Sequence, residues 1–223
     1  MLPTSRLSRR SSQNLRGHTL LGLALSLTTA ALLAACGARA APAPLPSGMA
    51  EAVFAGGCFW CMESDFEHLD GVLFVESGYA GGKELNPTYE QVSAHRTSHL
   101  ESVRVGYDPK LLPYVRLVEY FFTHVDPTQA DGQFCDHGPQ YRSAIFVKDQ
   151  AERAAVQSVR AQLQKRLAQP IVTEILPAAV FYQAEDYHQD FYKKQPEHYH
   201  GYRTGCGRDA RVQDLWGKKP GAH

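Results

Sequence analysis

Apolar positions along the chain switch between a repeat of two and a repeat of three to four, and each switch marks an element. Residues 51–57 carry the run Ala52-Val53-Phe54-Ala55 and close on Gly56-Gly57, which predicts a short strand. Phe59, Met62, Phe66 and Leu69 then recur at helical spacing, so residues 58–68 read as a helix with Cys58 at its N-terminus. Residues 71–79 predict a second strand and residues 81–87 a glycine-containing loop. Residues 101–107 predict a third strand, in which Val103, Val105 and Tyr107 alternate. After Asp108-Pro109, the stripe Val115, Val118, Phe121, Phe122 and Val125 predicts a helix that Asp126-Pro127 stops. Residues 126–142 read as a long polar loop, 143–147 as a strand, 149–169 as an amphipathic helix, 171–176 as a strand and 184–194 as a last helix. From Gln195 the chain is rich in Gly, His, Tyr and Arg and keeps neither period, which predicts an ordered coil crossing the surface. The expected fold is α+β: a mixed β-sheet with packed helices in two plait-like layers, followed by a long C-terminal coil.

The N-terminus obeys another pattern. Residues 1–18 hold Arg6, Arg9, Arg10 and Arg16 and no acid, and an apolar run over 19–35 follows, with small residues just before Cys36. That is the pattern of a secretory signal over residues 1–35. Leu33-Ala34-Ala35-Cys36 is similar to a lipoprotein processing box, which would leave Cys36 as a lipid-bearing N-terminus; cleavage after Ala38-Arg39-Ala40 would discard it. The lipid reading is preferred and implies an exported protein, on the periplasmic side of a bacterial membrane, attached through Cys36 alone. Residues 36–50 are rich in Ala and Pro and predict an extended tether, which leaves 51–223 as one catalytic domain.

Charge narrows the partners. The whole chain carries 23 basic and 23 acidic residues. Loss of the signal removes four arginines and no acid, leaving 19 basic against 23 acidic, which gives no footing for nucleic acid. Four cysteines then remain, at 58, 61, 135 and 206, in a compartment that permits disulfides. An even count invites a structural disulfide, although a core of this size does not need one.

The stretch Cys58-Phe59-Trp60-Cys61 admits three chemistries. A thiol at a helix N-terminus is favoured as thiolate by unpaired N–H groups and the helix dipole, which marks Cys58 as the more reactive of the two. A zinc site needs a second closely spaced ligand pair, and the sequence offers none, so no metal is expected. A thioredoxin-like dithiol pair fits the strand, turn and helix context. Against it, the aromatic residues lie between the cysteines, and a separate Cys206 sits in the mobile setting Gly205-Cys206-Gly207.

Further blocks carry a family resemblance. Gly57-Cys58-Phe59-Trp60 is followed in order by Gly78-Tyr79-Ala80-Gly81-Gly82, Asn86-Pro87-Thr88-Tyr89, His99-Leu100-Glu101, Tyr107-Asp108-Pro109, His124-Val125-Asp126-Pro127 and Asp136-His137-Gly138-Pro139-Gln140-Tyr141-Arg142-Ser143. These resemble the A-class peptide methionine sulfoxide reductases from about residue 52 to 216. The end, Thr204-Gly205-Cys206-Gly207 with Leu215-Trp216-Gly217, is similar to members that keep one C-terminal recycling cysteine.

The resemblance implies that Cys58 attacks the sulfur of methionine S-sulfoxide, free or in proteins, while Glu101 protonates its oxygen and Tyr89 and Tyr141 hydrogen-bond it. Phe59 and Trp60 become the wall that takes the methyl group. Asp136 either helps position the substrate or caps the turn at His137-Gly138. The product on Cys58 is a sulfenic acid, which Cys206 converts to an intramolecular disulfide for a thioredoxin-like reductant. No cofactor is implied, and the protein is expected to be a monomer. Cys61 and Cys135 occupy positions where the family pattern assigns no role, so Cys61 reads as a bystander and Cys135 as a packed or partly buried thiol. Glu63 is expected in the first helical turn, favouring the dipole. His95, His188, His198 and His200 read as solvated or structural. The rival readings are a disulfide oxidoreductase using Cys58 and Cys61, and a lipid-anchored binding protein with an aromatic pocket.

Overall fold

A computed structural model describes residues 45–217, so the signal, most of the tether and Cys36 lie outside the described residues. The elements run β1 (Ala50–Ala55), α1 (Phe59–Glu67), β2 (Val72–Ala80), α2 (Tyr89–Ser93), β3 (Leu100–Tyr107) and α3 (Tyr114–Phe122). They continue as the short β4 (Gly132–Gln133) and β5 (Asp136–His137), a 3-10 turn (Pro139–Tyr141), β6 (Ala144–Val147) and α4 (Gln150–Gln164). The last are β7 (Glu174–Pro177), β8 (Phe181–Gln183), α5 (Phe191–Lys194), α6 (Pro196–Gly205) and α7 (Arg208–Trp216). Six strands make one mixed sheet in the order β7-β6-β1-β3-β2-β8; β6 and β7 are parallel and the other pairings antiparallel. The α+β expectation holds.

The packing follows from the two periods. On β3, Val103 and Val105 point to the same face as Phe54 of β1, and Phe66, Leu117, Val118 and Phe121 of α1 and α3 close over them in the main core. Phe54 stacks on both Phe66 and Phe121, each at 5.1 Å. Arg104 points the other way, paired with Glu51 at 3.2 Å and Glu76 at 2.7 Å.

Three expectations fail. The predicted C-terminal coil is two helices, α6 and α7. Their buried positions are Tyr199 and Arg203, then Arg208, Val212 and Trp216, spaced by four as a helical face requires, but arginine stands where an apolar residue is expected. The predicted helix over 184–194 is helical only at Phe191–Lys194. Before it, the Gln189 amide bonds both the N–H and the C=O of Ser77, each at 2.9 Å, so the chain is held in an irregular path beside β2. The polar loop 126–142 contains the β4-β5 hairpin and the 3-10 turn.

Candidate active site

The end of β1 delivers the nucleophile. Gly57 takes a φ of +82°, and a Cβ there would lie 2.5 Å from Gln133, so both the turn and its packing require glycine. Cys58 then caps α1, its C=O accepting from the N–H of Cys61 at 3.2 Å and of Met62 at 3.3 Å. The alternation of β3 places Glu101 on the face of Val103 and Val105, under α1, where it is 2% exposed. Its Oε2 accepts the first N–H of the helix, that of Phe59, at 3.1 Å. An exposed strand residue is thereby ruled out.

Cys58, Phe59, Trp60, Tyr89, Glu101, Asp136, Tyr141 and Tyr202 line one cavity of about 100 Å³. The structure thus gathers seven residues singled out in the sequence. Tyr89 opens α2, whose N-cap Thr88 and Gln91 form a reciprocal capping box. The Tyr89 N–H donates to Glu185 at 3.1 Å, and Glu185 also accepts from the Tyr79 hydroxyl at 2.9 Å. Tyr141 ends the 3-10 turn. Trp60 lies flat on Phe191 at 3.7 Å and donates to His188 Nδ1 at 3.0 Å, so His188 is structural. Asp136 caps no turn; its carboxylate accepts from the Tyr202 hydroxyl.

Tyr202 is the lining residue that sequence reasoning missed. Its only available signal was a place on the polar tail, four residues before Cys206. The hydroxyl hydrogen-bonds Asp136 and also reaches the Cys58 sulfur.

Burial governs the electrostatics. Desolvation raises the Glu101 carboxyl to about 8, against the pull of the Phe59 N–H, so it carries a proton at neutral pH. Desolvation likewise pushes the Cys58 thiol well up, with the hydrogen bond to Cys61 adding to it, which opposes the thiolate-favouring effect expected of a helix N-terminus. Cys61 moves down, first through the hydrogen bond from Cys58 and then through the Arg208 and Arg203 guanidiniums. Tyr89 rises to about 12 and Tyr141 also rises, both chiefly by desolvation, so both hydroxyls remain donors.

Two further expectations are corrected. Glu63 lies past the first turn of α1 and is buried; it accepts from Ser77 Oγ at 3.1 Å and from the Asp190 N–H at 3.0 Å, and desolvation lifts it to about 7. Cys135 is no packed thiol. It is exposed and joined to Cys206 in a disulfide with Cα atoms 5.0 Å apart across 71 positions. Cys58 and Cys61 are free and buried. The described clusters of metal-ligating type are Cys135, Asp136 and Cys206, whose two sulfurs are already bonded, and Glu63, Glu67 and Asp190, which Lys193 crosses.

A family model described as peptide methionine sulfoxide reductase matches residues 50–220. Peptide methionine sulfoxide reductase MsrA 2 of Caulobacter vibrioides is 51% identical over 189 residues, covering 84% of this chain and 95% of its own. MsrA of Bacillus licheniformis is 46% identical over 170 residues, covering 75% and 94%. Among solved structures, methionine sulfoxide reductase A of Corynebacterium diphtheriae matches with a TM-score of 0.62 at 36% identity, covering 68% of this chain and 77% of that one. Mxr1 from Saccharomyces cerevisiae in reduced form gives 0.66 at 31% identity, covering 70% and 90%.

Proposed function

This chain belongs to the peptide methionine sulfoxide reductase family and reduces methionine sulfoxide, and from that premise we propose that Cys58 is the attacking thiol and Glu101 the proton donor. The observation that carries the assignment is their convergence: Glu101, protonated by burial, bonds the first N–H of the helix that Cys58 caps. Tyr89 and Tyr141 donate to the sulfoxide oxygen, Phe59 and Trp60 face the methyl group, and Asp136 helps position the substrate. Because methyl and oxygen meet unlike walls, one epimer fits, the S-sulfoxide in the family reading.

In the attack, the Cys58 sulfur bonds to the substrate sulfur while the oxygen takes the Glu101 proton, and the thiol proton returns to Glu101. Transfer of the hydroxyl to Cys58 releases methionine and leaves a sulfenic acid. Cys206 displaces it as water, giving a Cys58–Cys206 disulfide. Cys135 then attacks the Cys206 sulfur, freeing Cys58 as a thiol and leaving the Cys135–Cys206 bond. The exposure of Cys135 supports this last step, since an external dithiol of the thioredoxin type needs an accessible disulfide. The test is a single-turnover assay on racemic methionine sulfoxide with peptide mapping. Methionine release with half the sulfoxide untouched, followed by a Cys135–Cys206 bridge, is expected; a stable Cys58–Cys61 bridge as the end product would overturn the relay.

Residues 1–36 support export and a lipid anchor at Cys36, with the catalytic domain acting as a monomer on the periplasmic side of the membrane. Among the described residues, no helix is long and apolar enough to cross a membrane. Intact-mass measurement of the mature chain tests the anchor; a start at Ala41 without acyl mass rules it out.

A further inference from the structure

Two ties run in parallel between the β4-β5 hairpin and helix α6. One is covalent, from Cys135 to Cys206. The other is the hydrogen bond from the Tyr202 hydroxyl to the Asp136 carboxylate. They join adjacent positions: Asp136 follows Cys135 directly, and Cys206 lies one helical turn beyond Tyr202, its N–H bonded to the Tyr202 C=O at 2.9 Å. Each tie therefore holds the other in register.

The second tie lies inside the substrate cavity. Tyr202 lines it with Cys58, its ring stands edge-on to Trp60 at 6.0 Å, and its hydroxyl donates to the carboxylate of Asp136. A sulfoxide approaching the thiol enters the same small cavity that the Tyr202 side chain lines. Gly205 and Gly207 flank Cys206, and a Cβ at either would meet nothing within 4 Å, so between the buried anchors Arg203 and Arg208 the turn that carries Cys206 has open space around it and is tied across to the hairpin by the disulfide.

Resting on the relay proposed above, we infer that Tyr202 is a positioning residue that shuts the substrate cavity while Cys135 and Cys206 are joined and opens it when an external dithiol reduces them. In that step the dithiol gives two electrons and two protons to the bond, leaving two thiols and an oxidised carrier. Freed from Cys135, the end of α6 lets Tyr202 leave Asp136, and Cys206 is returned to reach Cys58. The order has a chemical purpose. A second sulfoxide reduced while Cys206 is still bonded would leave the Cys58 sulfenic acid without its partner thiol and open to further oxidation.

The experiment compares first-turnover methionine release, over a range of methionine sulfoxide concentrations and without reductant, from two forms of the full mature chain. One has the Cys135–Cys206 bond formed chemically beforehand, and the other is fully reduced; Cys58 is a free thiol in both. The disulfide form is expected to need about 10-fold or more sulfoxide for half its limiting rate, with the limiting rate itself little changed, as holds when only a fraction of the protein is competent to bind. Tyr202→Phe keeps the ring and loses the tie to Asp136, and it should bring the disulfide form close to the reduced one. Equal concentration dependence of the two wild-type forms overturns the inference, as does a Tyr202→Phe effect that weakens both forms alike, which would make Tyr202 a plain substrate contact. Peptide mapping of the sulfoxide-treated reduced enzyme reports on the relay separately, because the preformed disulfide does not depend on how the bond arises in turnover.

Discussion

Cys58, Phe59, Trp60 and Glu101 stand on α1, its N-cap and β3, over a core set by apolar burial and sheet register. Tyr202 stands on α6 and Cys206 caps its end; α6 meets α1 through the buried ring of Tyr199, packed with Cys58 and Cys61, and through charge. Arg203 pairs with buried Asp65 at 2.8 Å and grips Asp209, while Arg208 approaches Asp65 at 3.4 Å and donates to the His124 C=O at 2.9 Å. Buried ion pairs add little net stability over apolar packing, but they demand one geometry and fail sharply when a partner is lost. The comparison teaches that the immobile wall of the cavity rests on non-directional packing and the wall that must shift during recycling on directional pairs.

Each prediction breaks or sharpens that contrast. On the framework side, Cys58→Ser should abolish turnover, since an alcohol is a poor nucleophile at neutral pH; methionine formation by this variant would remove the nucleophile from the framework altogether. Glu101→Gln should bind sulfoxide but lose about 10²-fold or more in the chemical step. The wild-type single-turnover rate should fall as pH rises through about 8, where the acid loses its proton, and the variant should lack that fall.

The same carboxyl affects stability. Held at about 8 when folded, against an ordinary 4.5, it keeps a proton between those values that the unfolded chain has lost. Its contribution is therefore present at pH 4.5 and below and is lost as pH rises to about 8. Thermal melts should show Glu101→Gln gaining on wild type at pH 8 and not at pH 4.

On the cover side, Arg208→Met should destabilise by about 3–5 kcal/mol, because Asp65 is left with one buried partner fewer. Adding Asp65→Asn should recover part of the loss in denaturant titrations. A cost below about 1 kcal/mol would mean that α6 and α7 are packed like the framework and the contrast is false. The smallest effect is expected for Cys61→Ser, which should keep turning over with a thioredoxin-type reductant, whereas Cys206→Ser should make about one methionine per chain and stall.

The sheet and its covering helices were legible because Phe54, Val103, Val105, Phe66 and Phe121 sit where periods of two and three to four put them. Helices α6 and α7 were not, because Arg203 and Arg208 fill core positions that a hydropathy pattern scores as surface, and the buried acid they share, Asp65, lies more than a hundred residues earlier. The short α2 carries its own signal in Thr88 and Gln91, a capping box, but its single turn is too short to show an apolar period. Most site residues came from family blocks; Glu101 on its own would read as the exposed start of a strand. Tyr202 carried no signal beyond its place four residues before Cys206, and the Cys135–Cys206 pairing carried none, since sequence spacing does not say which cysteines meet.

The bond between Cys135 and Cys206 also closes a loop that runs from β5 to the end of α6. Cross-linking a loop of this length removes conformations from the unfolded ensemble worth about 4 kcal/mol in the chain-entropy model. A catalytic cycle that makes and breaks this bond therefore changes the chain's resistance to unfolding at every turnover. The enzyme is toughest when spent and waiting for electrons, and most vulnerable to heat and proteolysis when fully reduced and ready to work.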